Sequence, residues 1–304
     1  MDNEERLKLV SLIRENSVPH IPEIPSLPPE WEEYAIQPSM GKISGIKAVL
    51  FDVYGTLFSS GAGDIGSFVP QVCCERHEPA SLQSLARQHN STPEALRSFF
   101  VKKVKEIHNS LSEKTSYPEV HVDKIWDEFL ILPNTPPDKR SAREFALRYE
   151  LAVNPVYPMP GALETITALK EAGFVLGIIS NAQFFTPLLF DAFFGKSPGQ
   201  LGFDPGLLFW SFEHNEAKPS PRLYGKAIKK LESMGIKANE CVFIGNDMLS
   251  DIYGAKNCGF HSLLFAGDKR SLRLREGENR VNNIKPLWVI RTLDTMLHPG
   301  LILH

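Results

Sequence analysis

The chain has 304 residues, and at roughly 150 residues per domain this length suggests about two domains with a sizeable core. Its composition, 42% hydrophobic and 23% charged, is that of a globular protein and excludes wholesale disorder. The 33 Lys and Arg residues nearly balance the 36 Asp and Glu residues, so no general attraction to nucleic acid or anionic lipid is expected. A small-molecule ligand is the better prediction.

The N-terminal stretch divides into two parts. Residues 4–16 could form a short amphipathic helix, whereas the prolines between Pro19 and Pro29 forbid helix or central strand over the next stretch. We therefore predict a loosely packed N-terminal extension with a proline-rich arm over residues 1–45.

Two further features favour a cytoplasmic protein. The N-terminus carries acids where a secretory signal would carry bases, and no apolar run approaches the roughly 18 residues of a membrane span. The four cysteines, Cys73, Cys74, Cys241 and Cys258, form no C-x-x-C pair and fit a reducing compartment. We expect no membrane partner, and the sequence sets no oligomeric state.

From Ile46 onward, short apolar runs alternate with helical stretches. The run IKAVLFDV is apolar on both alternations, as in a strand buried on both faces of a parallel sheet. Similar runs lie at 174–180, 207–212, 241–245, 261–265 and 287–290. This pattern predicts an α/β fold with a doubly wound, Rossmann-like parallel sheet.

A helical insertion interrupts this pattern. Residues 81–90, 93–112, 121–132 and 139–150 read as helices, with no convincing buried strand between Gly61 and Pro155. The predicted domains are the extension, an α/β core at 46–62 and 156–298, an all-helical cap at 63–155, and a tail at 299–304. Because the cap leaves the sheet at the carboxyl end of the first strand, it is placed to act as a lid over the ligand site.

Polar side chains end four of the predicted strands. Asp52 follows the first strand, Ser180 and Asn181 end the second, and Lys218 comes after the third, before a helix that begins at Pro221. After the fourth, Asn246, Asp247 and Asp251 supply the oxygen ligands that Mg²⁺ prefers.

These motifs, in this order, resemble the haloacid dehalogenase superfamily. The resemblance spans roughly residues 46–298 and rests on FDVYGTLF, IISNAQ, AKPSPRLY and IGNDMLSDIYGAKNCGF. It implies that Asp52 is a nucleophile that forms a covalent aspartyl intermediate. It also implies that Ser180 hydrogen-bonds the transferring group, that Lys218 neutralises Asp52, and that Thr56 and Asn181 support the site.

Tyr54 departs from the pattern of the family's phosphatases, which carry a second Asp two residues after the nucleophile. A phenol is a poor base at neutral pH, and D-x-Y-G-T resembles the family's metal-independent 2-haloacid dehalogenases. Asp247 indicates the opposite, because those dehalogenases lack a carboxylate there. We expect Mg²⁺ to be bound by Asp52, Asp247 and the Tyr54 carbonyl, with Asp251 holding a metal-bound water or bracing Lys218, and with Asn246 weakening the site.

Three functions follow. The favoured one is a Mg²⁺-dependent hydrolase, a phosphatase that cleaves a small phosphorylated metabolite through Asp52. The alternatives are a 2-haloacid dehalogenase that uses Asp52 on carbon, and a non-catalytic protein that binds a phosphorylated ligand. Lys124, Arg140 and Arg143 could meet an acidic substrate from the cap, whereas Arg270, Arg273 and Arg275 read as a solvated turn.

Overall fold

The computed structural model describes residues 1–35, 43–60, 79–131 and 139–297, except for the side chains of residues 139 and 140. The predicted tail at 299–304, Cys73 and Cys74 therefore lie outside the described residues.

Eight strands and twelve α-helices make up these regions. The strands are β1 Ala48–Phe51, β2 Phe58–Ser60, β3 Val156–Pro158, β4 Val175–Ser180, β5 Phe203–Trp210, β6 Cys241–Gly245, β7 His261–Phe265 and β8 Trp288–Ile290. The helices are α1 Asn3–Asn16, α2 Pro29–Glu32, α3 Ala80–Gln88, α4 Pro93–Leu111, α5 Val122–Leu130, α6 Lys139–Val153, α7 Ala162–Glu171, α8 Thr186–Phe194, α9 Pro198–Leu201, α10 Ser211–His214, α11 Pro221–Ser233 and α12 Gly254–Asn257.

The main sheet confirms the predicted α/β fold. Its six strands are parallel and run in the order β5-β4-β1-β6-β7-β8. The central strand β1 is buried on both faces because its side chains alternate between two layers. Val49 and Phe51 pack with the cluster that includes α7 and α8, whereas Ala48 and Leu50 pack with α11.

The edge strand β5 begins earlier than predicted. The apolar run at 207–212 suggested its position, but the strand starts at Phe203 and Ser211 already opens α10. Pro205 and Gly206 interrupt the apolar pattern, and such residues are tolerated in a strand at the edge of a sheet.

Helices α3–α6 follow β2 and precede β3, which pair as a short antiparallel ribbon. Each of the four predicted helices is present, and its ends agree with the prediction to within about three residues where these are described. Thr92 caps α4 by accepting a hydrogen bond from the Ala95 amide. Trp126, fully buried, stacks on Phe100 and contacts Phe145 in the core of this helical insert. The insert contacts the sheet side at Ala217, whose amide donates to the Tyr117 carbonyl.

The N-terminal extension is more tightly packed than predicted. Helix α1 buries Leu9 and Ile13 against α8 and α6, and further along Trp31 is 8% exposed in a cluster that includes Met248 and Ile252. The prediction of loose packing was therefore wrong for helix α1 and for Leu27 and Trp31, whereas Val18 and Ile21 between these anchors are exposed.

Candidate active site

Strand register brings the motif residues to one edge of the sheet. Phe51 lies opposite Ile178 of β4 and Ile244 of β6, so these three strands end side by side. The Asp52 amide donates to the Ile244 carbonyl at 2.9 Å, which continues the strand pairing as far as the carboxylate-bearing residue. The side chains after the three strands must therefore share one space.

That space is a cavity of about 10 Å³, roughly enough for one water-sized group. Its lining consists of Asp52, Tyr54, Asn181, Lys218, Asn246, Asp247, Ser250 and Asp251. Of the residues that the sequence proposed for the site, Thr56 and Ser180 lie outside this lining. Both are fully buried behind it.

Lys218 is the centre of a buried charge cluster. Its Nζ donates to Asp52 Oδ1 and to Asp251 Oδ1, each at 2.5 Å, and the three side chains are between 1% and 7% exposed. Burial lowers the pKa of Lys218, but the carboxylates of Asp251 and Asp52 outweigh it and hold that pKa above its usual value. Lys218 is therefore a permanent cation beside Asp52.

One lysine charge cannot fully neutralise two carboxylates. Burial raises the pKa of Asp251, Lys218 opposes this rise, and the negative charges of Asp52 and Asp247 add to it. Asp251 thus takes up a proton more readily than an ordinary aspartate, and its main structural role here is to brace Lys218.

Asn181 and Ser180 fix the backbone around this cluster. The Lys218 amide donates to Asn181 Oδ1 at 2.6 Å, and the Ser180 hydroxyl donates to the Asn181 carbonyl at 3.2 Å. Ser220 then caps helix α11, which begins at Pro221 as predicted. Lys218 is consequently held from both sides, by a side-chain amide and by the start of a helix.

Asp247 caps, and Asp251 belongs to, a short π-helical segment, Met248–Tyr253. Asp247 Oδ1 accepts hydrogen bonds from the amides of Leu249 and Ser250 at 2.8 and 3.1 Å, and the Asp247 amide donates to Asp251 Oδ2 at 2.9 Å. Such π-helical turns are frequent at functional sites. The turn points both carboxylates toward the ends of β1 and β6.

Arg275 is the site residue that sequence reasoning missed. Its Nε lies 3.0 Å from each carboxylate oxygen of Asp247, and its Nη2 also donates to Oδ2. Backbone pairing brings it there, since the Met248 amide donates to the Arg273 carbonyl and the Arg273 amide donates to the Asn246 carbonyl. No spacing in the sequence indicates this contact, and the prediction of a solvated turn was wrong for Arg275.

Asn246 has a structural reason to be an amide. Its Nδ2 donates to the Ser271 carbonyl at 2.6 Å and its Oδ1 accepts from Thr56 Oγ1 at 3.2 Å. An ionised aspartate could not donate to Ser271. Thr56 and Asn246 therefore join the loop after β1 to the segment that carries Arg275.

The Tyr54 side chain is turned away from proton transfer. Its hydroxyl hydrogen-bonds Thr186 Oγ1 at 2.9 Å on α8. Burial, reinforced by the charge of Glu150, raises the pKa of Tyr54 well above its ordinary value. Tyr54 cannot act as a base near neutral pH, as its residue type indicated.

A family model described as haloacid dehalogenase-like hydrolase matches residues 46–259, which is most of the chain. The chain belongs to this family of hydrolases. The match starts only two residues before β1, so the N-terminal extension lies outside it.

Two curated proteins similar to this hydrolase are phosphatases by name. A phospholysine phosphohistidine inorganic pyrophosphate phosphatase from Xenopus laevis is 28% identical over 236 residues, 73% of this chain and 83% of the relative. A glyceraldehyde 3-phosphate phosphatase from Pyrococcus furiosus is 31% identical over 113 residues, 35% of this chain and 41% of the relative. The chain thus spans less than half of the second relative.

Solved structures show the fold of this hydrolase. A 2-haloacid dehalogenase from Pseudomonas syringae pv. Tomato DC3000 superposes with a TM-score of 0.52 at 19% identity, covering 83% of this chain and 96% of that one. A HAD phosphatase from Thermococcus onnurineus gives a TM-score of 0.50 at 23% identity, covering 84% and 99%. Because enzymes of both chemistries share the fold, the fold does not choose between them. Within the described ranges, no helix is long and apolar enough to cross a membrane.

The donors of this hydrolase have the chemistry that Mg²⁺ requires. Carboxylate side chains of Asp52, Asp247 and Asp251 line the cavity together with Tyr54, and oxygen ligands of this kind suit Mg²⁺. Across the described parts of the chain, no three acidic, His or Cys side chains are arranged as a ready metal site. Here Lys218 is paired with Asp52, and Arg275 is paired with Asp247.

A second, larger cavity of about 320 Å³ lies between the insert and the core. Its lining consists of His121, Asp123, Lys124, Asp127, Ala142, Arg143, Gln183, Phe184, Phe212, Glu213 and Asn215. Two of the three predicted cap cations are there, but Arg143 is already paired with Glu5 and Asp123, at 3.2 and 3.4 Å. The Arg140 side chain lies outside the described residues.

Proposed function

We propose that this hydrolase is a phosphatase that cleaves small phosphorylated metabolites through an aspartyl-phosphate on Asp52. The observation that carries the proposal is the convergence of Asp52, Lys218, Asp247 and Asp251 on one cavity at the carboxyl ends of parallel strands. The names of the Xenopus and Pyrococcus relatives support phosphate ester or anhydride hydrolysis.

In this proposal Asp52 attacks phosphorus, which forms an Asp–O–P bond and releases the leaving group, and water then breaks the acyl phosphate. Lys218 neutralises both Asp52 and the charge that develops on the phosphoryl oxygens. Asn181 positions Lys218, and Ser180 and Thr56 hold the surrounding loops.

We propose Mg²⁺ as the cofactor, held by Asp52, Asp247 and the Tyr54 carbonyl. When bound, it would supply positive charge to the phosphoryl oxygens. HAD phosphatases generally use this ion. Helices α3–α6 would act as the cap, consistent with their position between β2 and β3.

Tyr54 narrows the substrate class. Because its hydroxyl is bonded to Thr186 and its pKa is raised, it provides neither a ready acid for the leaving group nor a base for water. We expect fast turnover only of substrates with good leaving groups, such as aryl phosphates, acyl phosphates and anhydrides, and much slower turnover of alkyl phosphates.

The test is phosphate release from p-nitrophenyl phosphate by the wild-type protein, with and without a chelator, and by Asp52→Asn. We expect the activity to need Mg²⁺ and to be lost in Asp52→Asn, which is isosteric but a poor nucleophile. Activity that survives the substitution would exclude the aspartyl-phosphate. Activity that survives chelation would exclude the metal.

The dehalogenase alternative has one observation in its favour, since the Asp247–Arg275 ion pair neutralises Asp247 without a dication. Chloride release from 2-chloropropionate in the presence of chelator, with no hydrolysis of aryl or acyl phosphates, would establish it. If neither reaction is detected and the protein retains a phosphate analogue tightly, the protein is a non-catalytic binder of phosphorylated ligands.

A further inference from the structure

Asp247 is the carboxylate on which the proposed Mg²⁺ depends, and the protein already supplies it with a cation. Both of its oxygens accept hydrogen bonds from the Arg275 guanidinium, the planar fork that matches a carboxylate best. A dication bound to Asp247 would use the same oxygens and would repel the guanidinium, so Arg275 and Mg²⁺ would compete for Asp247.

The chain fixes the backbone of Arg275 for this contact. Arg275 has a positive φ of 58°, a conformation that side chains other than Asn, Asp and Gly adopt rarely. The segment before it is tied to the motif loop by the reciprocal hydrogen bonds of Met248 and Asn246 with Arg273, at 2.9 and 3.0 Å. An unfavourable backbone conformation that the surrounding contacts hold in place is typical of functional positions.

Arg275 differs from Lys218 in its exposure to solvent. The Lys218 side chain is 2% exposed and enclosed between two carboxylates, whereas the Arg275 side chain is 35% exposed. Rotation of the Arg275 side chain into solvent would release Asp247 without disturbing the backbone pairs of Arg273. Lys218 has no comparable route.

The charges of the site explain why a cation is needed at all. Asp52, Asp247 and Asp251 carry three negative charges when ionised, and Lys218 supplies a single positive charge. Arg275 adds a second positive charge, which reduces the net charge of the ionised site to minus one and so stabilises the metal-free site.

We propose that Arg275 is a positioning residue that holds Asp247 in the metal-free protein and must be displaced when Mg²⁺ binds. This inference rests on the proposed function, because it assumes that Asp247 is a magnesium ligand. It means that the affinity for Mg²⁺ is set by competition with an arginine of the same chain.

The test is isothermal titration of the purified full-length protein with Mg²⁺ alone. In Arg275→Met, which keeps an unbranched apolar stem but removes the guanidinium and its charge, we expect the dissociation constant to fall about tenfold, the effect of losing one charge-assisted competitor. Arg275→Lys, which keeps the charge but loses the bidentate fork, should lie between the two. Arg275→Gly tolerates the positive φ and serves if the Met variant does not fold.

Arg280→Met is the matched control. Arg280 lies in the same segment but bonds Glu278 and the Tyr117 hydroxyl, so its loss should leave the Mg²⁺ affinity unchanged. Equal affinity in the wild type, Arg275→Met and Arg275→Gly overturns the inference and leaves the proposed magnesium site standing. No binding by any of them overturns the inference together with the proposed cofactor.

Discussion

Glu150 offers a sharp test of how burial controls charge beside the proposed site. It lies on α6, where its Oε1 accepts a hydrogen bond from Asn154 Nδ2 at 2.8 Å, and Asn154 in turn accepts from Ser60 Oγ. Burial raises the pKa of Glu150 from 4.5 to about 7, and the bond from Asn154 only partly offsets this rise. The native state therefore binds this proton more tightly than the unfolded chain does.

The sign and size of the effect on stability follow by linkage. Below pH 4.5 Glu150 is protonated in both the native and the unfolded state, so it does not reduce the free energy of unfolding. As the pH rises from 4.5 to about 7, Glu150 ionises first in the unfolded chain, and the native state loses stability. At about 1.4 kcal/mol per tenfold difference in proton affinity, the loss approaches about 3 kcal/mol at pH 8. Glu150→Gln keeps the acceptor for Asn154 and removes the charge.

Urea unfolding at pH 5 and pH 8 measures this difference. We expect Glu150→Gln to be more stable than the wild type by up to about 3 kcal/mol at pH 8, and by much less at pH 5. Glu144→Gln, on the same helix, is the control with the opposite sign, because ion pairs with Lys8 and Arg148 outweigh burial and lower the Glu144 pKa. A Glu150→Gln effect that is the same at both pH values would refute the reasoning.

Two further substitutions test the geometry of the site. Gly55→Ala should lower phosphate release at least about tenfold and reduce the melting temperature, because a Cβ at this position would lie 2.4 Å from Asn246 Nδ2. Gly277→Ala is the control: Gly277 has a similar positive φ but open space around it, so this variant measures the backbone strain alone. Lys218→Met should abolish activity and cost roughly 3 kcal/mol or more in urea unfolding, because it leaves Asp52 and Asp251 buried without their cation. Lys230→Met, which removes a partly exposed pair with Asp204, should cost less than about 1 kcal/mol, and equal losses in the two lysine variants would contradict the role given to Lys218.

The part of the site that could be predicted lies at strand ends. Apolar runs in the sequence predict the strands β1, β4 and β6, and neighbouring parallel strands end at the same edge of the sheet. The residues that follow these strands therefore lie close together, independently of the conformation of the intervening loops. This is why Asp52, Asn181 and Asp247 line one cavity although nearly 200 residues separate the first from the last.

The part that could not be predicted depends on irregular segments. Arg275 reaches Asp247 because residues 271–273 lie beside the loop that carries Asn246 and Met248. Single hydrogen bonds fix this path, and no hydrophobic periodicity in the sequence predicts them. The N-terminal arm is similar, since Leu27 and Trp31 are isolated apolar residues among prolines, and their burial depends on a groove formed by distant parts of the chain.

The choice between the two chemistries depends less on Tyr54 than on what neutralises Asp247. With Arg275 on Asp247, the two cations of the site leave one negative charge when all three carboxylates are ionised, and this charge would repel a phosphate ester dianion. If a dication replaces Arg275, the carboxylates of Asp52, Asp247 and Asp251 are balanced by the dication together with Lys218, and a phosphoryl group meets no net negative charge. In the proposed phosphatase Arg275 would therefore leave Asp247, whereas the attack of Asp52 on a carbon–halogen bond needs no dication and is compatible with the Asp247–Arg275 ion pair. On these two hypotheses, the Arg275 side chain takes a different position in each of the two reactions that the sequence motifs leave open.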